Sequence, residues 1–277
     1  MKKTRLTLTG IITAVFFAAV FVFVQFIQTD QTGRDTSSVL ENPVVATSTK
    51  TIGLIVPHHD PVSFLTQDAL AQVKFKPDLI ILIGPNHFEA GSHPILTGTF
   101  NSSNRGVSPV FAVAQMNELL QMKVALQDDA VLSHEHAIGV PLPFLQEKFG
   151  STPILPLIFK YHQEREDINR FVHALETVSR DKNVLIVGSI DFSHYISSDI
   201  APLRDVETKQ YISQKNYQKI ATLSNEYLDS PWSLITLLQY LEKNGVTGQR
   251  LIAHTNTGLV AGTSIESSTS FLTYIFE

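Results

Sequence analysis

The stretch Leu79-Ile-Ile-Leu-Ile-Gly-Pro-Asn-His87 decides the fold, because an unbroken run of branched apolar residues is stopped by Gly-Pro and followed by a histidine. Two runs of the same design are Gly53-Leu-Ile-Val-Pro-His58-His59 and Val184-Leu-Ile-Val-Gly-Ser-Ile-Asp191-Phe-Ser-His194. Short apolar runs bounded by Gly or Pro are typical of strands buried on both faces, as in parallel sheets covered by helices. The sequence therefore predicts a single three-layer α/β domain with a mostly parallel central sheet.

The segments between these runs support the same architecture. Apolar residues at helical spacing predict helices over 61–75, 164–180 and 205–221. A helix between two buried strands is the usual crossover of a parallel sheet, and such crossovers are right-handed. Near the end of the chain, 251–257 and 270–276 are predicted to form an antiparallel hairpin at the end of the sheet. The predicted domain covers residues 51–277.

The first 50 residues differ in composition from the rest. Positive charges precede the apolar run Leu6–Ile27, which is long enough to cross a bilayer as one helix. The run does not end in small residues of the A-x-A type, so we expect a membrane anchor over 1–27 rather than a cleaved signal peptide. The N-terminus is then expected in the cytoplasm and the domain outside it, after a flexible linker over 28–50. The predicted fold is thus preceded by one transmembrane helix.

Charge and composition exclude several classes of function. The 277 residues carry a formal net charge of −5 and contain no cysteine. Basic residues are scattered rather than clustered, so nucleic acid is not an expected partner. A thiolate ligand and a thiol nucleophile are excluded. A Gly-x-Ser-x-Gly elbow is absent as well, which disfavours a serine hydrolase.

The histidines that follow the apolar runs are the main indication of chemistry. Ligands of open α/β sheets bind beyond the carboxyl ends of the strands, so His58, His87 and His194 are expected to meet in one crevice and share a metal ion. Asp191 lies close enough in sequence to orient His194 or to face the same ion. The alternative is that each histidine is an isolated polar residue in its own loop.

A second polar cluster is Leu132-Ser-His134-Glu135-His136. In an extended segment His134 and His136 would point to the same side, with Glu135 opposite. Adjacent acid and imidazole groups can exchange protons, so Glu135 and His136 are candidates for general acid/base catalysis. A solvated polar loop is the alternative. Two histidines with a carboxylate suit Fe(II), whereas imidazoles alone also suit Zn or Cu, and the sequence does not select among them.

Four motifs in order resemble a known family. They are Val56-Pro57-His58, Ile83-Gly-Pro-Asn-His87, the segment from Glu135-His136 to Phe144-Leu145, and Ser189-Ile-Asp191-Phe-Ser-His194-Tyr195. Residues 51–276 resemble the Memo family, also called AmmeMemoRadiSam system protein B. The resemblance implies the LigB-like fold of class III extradiol dioxygenases, whose members bind non-haem iron through two histidines and a glutamate.

The resemblance also implies site residues. His58 and His87 correspond to metal ligands, and Asp191 and His194 to residues of the same pocket. The family's usual cysteine is missing from the stretch Glu226-Tyr-Leu-Asp229-Ser-Pro231, where either carboxylate can complete a two-histidine, one-carboxylate set. We expect Glu226 to be that ligand. His59-Asp60-Pro61 replaces the family's Ala-Gly-Tyr and changes the pocket wall.

Three functions are consistent with this pattern. The first is membrane-anchored, metal-dependent redox or dioxygenase-like chemistry on an unknown small molecule, with Fe(II) or Cu preferred over Zn and with His194 and Asp191 acting on the bound substrate. The second is a non-catalytic protein that binds a metal, a small ligand or a peptide in the same pocket. The third is a metal-free scaffold.

Overall fold

The computed structural model describes residues 50–100 and 108–277, which fall in one compact unit. Their strands form a sheet of nine members. The strands are β1 Thr51–Val56, β2 Leu79–Pro85, β3 Ile95–Thr97, β4 Leu126–Gln127, β5 Ile154–Phe159, β6 Val184–Ser189, β7 Phe192–Ile196, β8 Gln249–Asn256 and β9 Ser268–Phe276.

Helices connect these strands, and a short 3-10 turn, Asp60–Val62, follows β1. The helices are α1 Ser63–Gln72, α2 Val113–Gln121, α3 Asp129–His134, α4 His136–Gly139, α5 Leu142–Phe149, α6 Arg165–Val178, α7 Ala201–Ser213, α8 Tyr217–Ile220, α9 Pro231–Lys243 and α10 Thr257–Ala261.

The sheet is mixed rather than mostly parallel. Its order is β4-β3-β5-β2-β6-β1-β9-β7, and β8 pairs with β9 off this path. The four central strands β5, β2, β6 and β1 are parallel, as the apolar runs predicted. The flanking pairs are mostly antiparallel: β3 runs against β5, and β9 runs against β1, β7 and β8, whereas β3 and β4 are parallel. The predicted hairpin exists as β8 and β9, but β9 also joins the central strands instead of only closing the sheet.

Alternate side chains of one strand enter two different cores. Ile80 and Leu82 of β2 pack in the cluster that contains residues of α1 and α5, whereas Ile81 and Ile83 pack in the cluster that contains residues of α6 and α9. All four side chains are completely buried. Each buried side chain of this size contributes about 1.5–3 kcal/mol relative to exposure, so both faces of the sheet stabilise the fold. The result is the three-layer arrangement expected from continuous apolar runs.

The helix predicted over 205–221 is two helices. The break lies at Lys215, whose φ of 51° is left-handed, and the Asn216 side chain then accepts a hydrogen bond from the backbone N–H of Lys219. Asparagine is a favoured N-cap residue because its side-chain oxygen satisfies an unpaired N–H of the first turn. The apolar residues keep their helical spacing across this break, so the sequence pattern predicts one continuous helix.

The predicted membrane topology requires a correction. Within residues 50–100 and 108–277, no helix is long and apolar enough to cross a bilayer. The longest helix there, α6, has 14 residues, of which eight are polar or charged, whereas about 20 apolar residues are needed. The structure therefore does not support a fold preceded by a transmembrane helix or the extracytoplasmic location derived from it. The segments 1–27 and 28–50, on which that prediction depended, lie outside the described residues except for Lys50.

Candidate metal centre

The carboxyl ends of β1, β2 and β6 meet at one edge of the sheet. β1 and β6 are in parallel register up to Val56 and Ser189, and β2 lies on the other side of β6. The chain leaves these ends through His58, His87 and Asp191, so the three side chains are carried to the same crevice by the parallel arrangement. The expected convergence of the strand ends is observed.

Three imidazoles lie against one another in this crevice. The ring centroids of His58 and His87 are 5.0 Å apart, and His136 lies 5.1 Å from His58 and 4.2 Å from His87. One ligand nitrogen from each ring lies within 4.8 Å of the others, so the group can hold a metal ion. His136 enters at the first residue of α4. Sequence reasoning considered it only for acid/base catalysis.

Glu135 holds His87 in the orientation that metal binding requires. The glutamate side chain is fully buried, and its Oε1 lies 2.7 Å from His87 Nδ1. Its Oε2 accepts a hydrogen bond from the His87 backbone N–H at 2.9 Å, and Oε1 accepts another from Ala137 N at 3.1 Å. A carboxylate at Nδ1 fixes the proton there and leaves Nε2 free as a ligand. These contacts are those of an orienting carboxylate, and they use three of its about four acceptor sites.

The ring of His58 is buried and its outer nitrogen has no hydrogen-bond partner among the described residues. Its Nδ1 lies 3.3 Å from the Ser189 hydroxyl. Its Nε2 lies 3.1 Å from Asp229 Oδ2 and 3.6 Å from Asp191 Oδ2, but neither approach has the geometry of a hydrogen bond. Buried polar atoms are rarely left unpaired. This nitrogen, which has two carboxylates nearby but no aligned hydrogen bond among the described residues, fits a cation at this position.

Asp229 is the carboxylate that faces the imidazoles. Its Oδ2 lies 3.1 Å from His58 Nε2 and 3.9 Å from both His87 Nε2 and His194 Nε2. The same oxygen accepts a hydrogen bond from Asp191 N, whereas Oδ1 is buried without a partner among the described residues. Glu226, the expected ligand, does not line the pocket: its half-exposed carboxylate pairs with Arg204 at 3.3 Å.

His194 lines the same pocket from β7. Its Nε2 is buried and lacks a hydrogen-bond partner among the described residues. Its Nδ1 lies 3.4 Å from the Thr269 hydroxyl. Asp191 does not bond to His194. Its Oδ1 accepts from the His58 backbone N–H at 3.1 Å instead, so this aspartate holds the loop that carries His58.

Burial and charge act in opposite directions on the ionisable groups. Burial lowers the pKa of His58, but the carboxylates of Asp191 and Asp229 outweigh it and raise the pKa to about 9. Burial and the neighbouring imidazoles lower the pKa of His136 to about 4, and burial also lowers the pKa of His194. Metal ligation needs a neutral imidazole, so His136 is ready to bind at neutral pH whereas His58 must first lose a proton.

The pKa values of the carboxyl groups also shift in different directions. Burial raises the pKa of Asp191 above its ordinary value. Burial also acts to raise the pKa of Asp229, but the close contact with His58 at 3.1 Å and the charge of that imidazole outweigh it and hold the pKa low. The same balance with His87 keeps the pKa of Glu135 low. Asp229 is therefore the negative charge that faces the imidazoles.

The cavity above these groups has a volume of about 550 Å³. Its rim carries two exposed aromatic side chains, Phe88 and Tyr195, which are 64% and 75% accessible. His59 also lines the cavity, with its ring against Phe271. Of the described residues that line the cavity, none is Lys or Arg. An anionic ligand would therefore meet no side-chain cation other than a protonated histidine.

The extended reading of residues 132–136 is wrong. Asp128 caps α3 by accepting from Val131 N, and Glu135 caps α4 by accepting from Ala137 N. His134 ends α3 with its Nδ1 2.8 Å from the Ala130 carbonyl, so it does not join His136. The two aspartates at 128–129 are a helix-start signal that would have predicted this turn.

The fold and the imidazole group define an α/β protein with a histidine-rich group able to bind a metal. The sequence matches the Memo-like protein family over residues 29–275, and the chain belongs to this family. A MEMO1 family protein of Thermotoga neapolitana is 30% identical over 242 residues, covering 82% of this chain and 83% of that protein. Another from Caldivirga maquilingensis is 27% identical over 227 residues, covering 78% and 80%.

Among solved structures, an uncharacterised protein from Escherichia coli K12 resembles this chain in fold. The TM-score is 0.55 at 16% sequence identity, and the match covers 81% of this chain and 98% of that protein. At this level of identity the likeness concerns the fold alone.

Proposed function

We propose that this chain is a metal-dependent oxidoreductase that acts on a small molecule, with molecular oxygen as the oxidant. His58 and His87 hold the metal, and His136 and Asp229 are the two further donors within reach. The observation that carries the proposal is that three buried atoms of residues lining one pocket, His58 Nε2, His194 Nε2 and Asp229 Oδ1, have no hydrogen-bond partner among the described residues.

The donor set favours a redox metal. Two imidazoles with a carboxylate suit Fe(II), and a set of imidazoles also suits Cu, with Zn as the non-redox alternative. When bound, such a metal supplies a site for oxygen and substrate. Asp229 offsets its positive charge, and Glu135 keeps the Nε2 of His87 deprotonated and directed inward.

The remaining pocket residues would act on the substrate. His194 lines the cavity, has a lowered pKa and has no hydrogen-bond partner at Nε2 among the described residues, so it is a base that can accept a proton from a bound hydroxyl group. Asp191 acts indirectly by holding the backbone of His58. The exposed Phe88 and Tyr195 would contact the part of the ligand that remains outside the metal group.

A second candidate is a binding protein without turnover, which captures a metal, a small ligand or a peptide. The openness of the centre favours it, since the His136 side chain is 46% exposed and two aromatic residues stand at the rim. Enzymes that handle oxygen normally exclude bulk water from the reacting atoms. The two candidates differ in oxygen consumption and not in metal content.

The test is metal analysis of the full chain purified without chelator, beside a His58→Ala/His87→Ala variant and a His134→Ala control. The control removes an exposed imidazole that lies outside the group. Stoichiometric Fe or Cu in the wild type and the control, but not in the double variant, supports the proposal. Absence of metal from all three after reconstitution with Fe(II), Cu and Zn would contradict it.

Oxygen uptake then separates the two candidates. His194→Gln is expected to leave metal bound and to abolish oxygen consumption with any substrate that supports it in the wild type. Metal-loaded wild-type protein that consumes no oxygen with any member of a broad panel of phenols, thiols and amines would favour the binding protein.

A further inference from the structure

His194 reaches the pocket from a distorted strand. The pairing of β7 with β9 shifts register on both sides of His194. Its neighbours Ser193 and Tyr195 have φ values of 35° and 61°. Residues with a Cβ seldom adopt this left-handed conformation, which persists where surrounding contacts enforce it. The strand's own pairing is irregular at this point, so other contacts must hold the backbone.

Hydrogen bonds from the backbone and from one side chain hold Ser193 and His194. Two are backbone bonds to one loop: Ser193 N donates to the Tyr227 carbonyl and His194 N to the Asn225 carbonyl, each at 2.8 Å. The third is a side-chain bond, in which the Ser193 hydroxyl donates to Asp205 Oδ1 at 2.7 Å. The same hydroxyl has a longer contact, 3.5 Å, with the Ala201 carbonyl. The bonds of this hydroxyl, unlike the two backbone bonds, depend on the identity of the residue at position 193.

Asp205 is a fully buried carboxylate on α7. Its Oδ1 also accepts from the Ser270 hydroxyl at 2.7 Å, and its Oδ2 lies 2.7 Å from His254 Nε2. Through these bonds the carboxylate is joined to β7, β9 and β8. Hydrogen bonds to an ionised acceptor are about twice as strong as neutral ones. Asp205 does not line the pocket, so the proposed metal centre does not account for it.

We propose that Asp205 is a positioning residue for His194. Through the Ser193 hydroxyl it fixes the left-handed backbone that directs the imidazole into the pocket. The His194 ring has one long hydrogen bond, 3.4 Å at Nδ1, and its Nε2 has no hydrogen-bond partner among the described residues, only the Asp229 carboxylate at 3.9 Å. Its direction is therefore set from the backbone. The inference concerns where the ring lies, and it holds whatever the pocket binds.

The chain offers a matched control for this inference. Ser193→Ala and Ser270→Ala each remove a hydroxyl that is completely buried and lies 2.7 Å from the same carboxylate oxygen. A role of Asp205 that is only structural predicts the same effect from both variants. A positioning role predicts that only Ser193→Ala displaces His194.

The experiment follows the histidine ring carbon and proton resonances of the full-length, metal-free protein at one pH, with thermal unfolding measured in parallel. Loss of a signal in His194→Gln identifies the resonance. Both alanine variants are expected to lower the melting temperature by similar amounts, and only Ser193→Ala to shift the His194 resonance beyond its linewidth. Ser193→Cys, a milder change with a weaker donor, is expected to shift it in the same direction by less.

Equal shifts in Ser193→Ala and Ser270→Ala would overturn the inference, because they would indicate general loosening of the sheet. An unchanged His194 resonance in Ser193→Ala and Ser193→Cys would overturn it as well. Neither measurement uses a metal or a substrate, so the outcome is independent of the metal analysis that tests the proposed function.

Discussion

Replacement of Glu135 by glutamine tests the structural account of the metal centre directly. The side chain keeps its shape, but one of the two carboxylate oxygens becomes an NH₂ donor. If the NH₂ replaces Oε1, it faces His87 Nδ1, which must then become an acceptor and move its proton to Nε2. If the NH₂ replaces Oε2, it faces the His87 backbone N–H, and two donors oppose each other.

Both arrangements weaken metal binding. The first protonates the nitrogen that should bind the metal, and the second leaves a buried donor unsatisfied, which costs about 1–3 kcal/mol. Loss of an outer partner of a metal-binding histidine typically lowers metal affinity by about 10–100-fold. That range corresponds to about 1.4–2.7 kcal/mol. We therefore expect the dissociation constant of Glu135→Gln to rise by about 10–100-fold.

Glu89→Gln is the matched control. Glu89 lines the same cavity, but the contact of its Oε1 is with the backbone N–H of Tyr161, and an amide oxygen can accept that bond equally well. The assay is competitive titration of the metal-free proteins with a chelator of known affinity. Affinities of Glu135→Gln and Glu89→Gln that agree within twofold would refute the role assigned to Glu135.

Three further predictions concern the ligands and the core. Because the pKa of His58 is about 9 in the metal-free protein, a metal must displace its proton. Affinity should therefore rise by about tenfold per pH unit up to about pH 9, and calorimetry in buffers of different ionisation enthalpy should detect the released proton; a flat profile would contradict this. His136→Ala should weaken metal binding at least about tenfold whereas His134→Ala should not, and equal affinities would exclude His136 as a ligand. Gly53→Ala should lower the free energy of unfolding by about 1–3 kcal/mol, because the new Cβ would lie 2.5 Å from a methyl carbon of the buried Leu241. Denaturant unfolding should show a smaller combined loss with Leu241→Ala than the sum of the two, and strict additivity would contradict the overlap.

The strands and two of the histidines could be predicted because their signals are local. A buried parallel strand needs apolar residues on both faces, so it appears in the sequence as a continuous run, and Gly or Pro marks its end. His58 and His87 follow such ends directly. Parallel pairing brings those ends together whatever the intervening chain does, so their approach to within 5.0 Å between ring centroids required no knowledge of the loops.

The other side chains of the centre depend on contacts that spacing does not reveal. His136 faces the pocket because Glu135 ends one helix turn and caps the next, which changes the direction of the chain at that point. If the same residues were extended, His134 and His136 would point to one side, so that prediction misses the change of chain direction between the two helices. Asp128 is the local signal for a helix start at this point, because an aspartate at that position accepts hydrogen bonds from the first free N–H groups.

The position of Asp229 is set by hydrogen bonds to a distant segment of the chain, which the spacing of residues within its own segment does not reveal. The sequence offers both Glu226 and Asp229 as the carboxylate, and in the structure Asp229 lines the pocket whereas Glu226 pairs with Arg204. Two reciprocal hydrogen bonds hold Asp229 beside Asp191: Asp229 N donates to the Asp191 carbonyl, and Asp191 N donates to Asp229 Oδ2. A bridge between Phe192 and Leu228 extends this pairing. The same segment supplies the carbonyls of Asn225 and Tyr227 that hold β7. Asp229 and His194 are therefore set by one loop, so a change of loop length there would displace the carboxylate and the imidazole together.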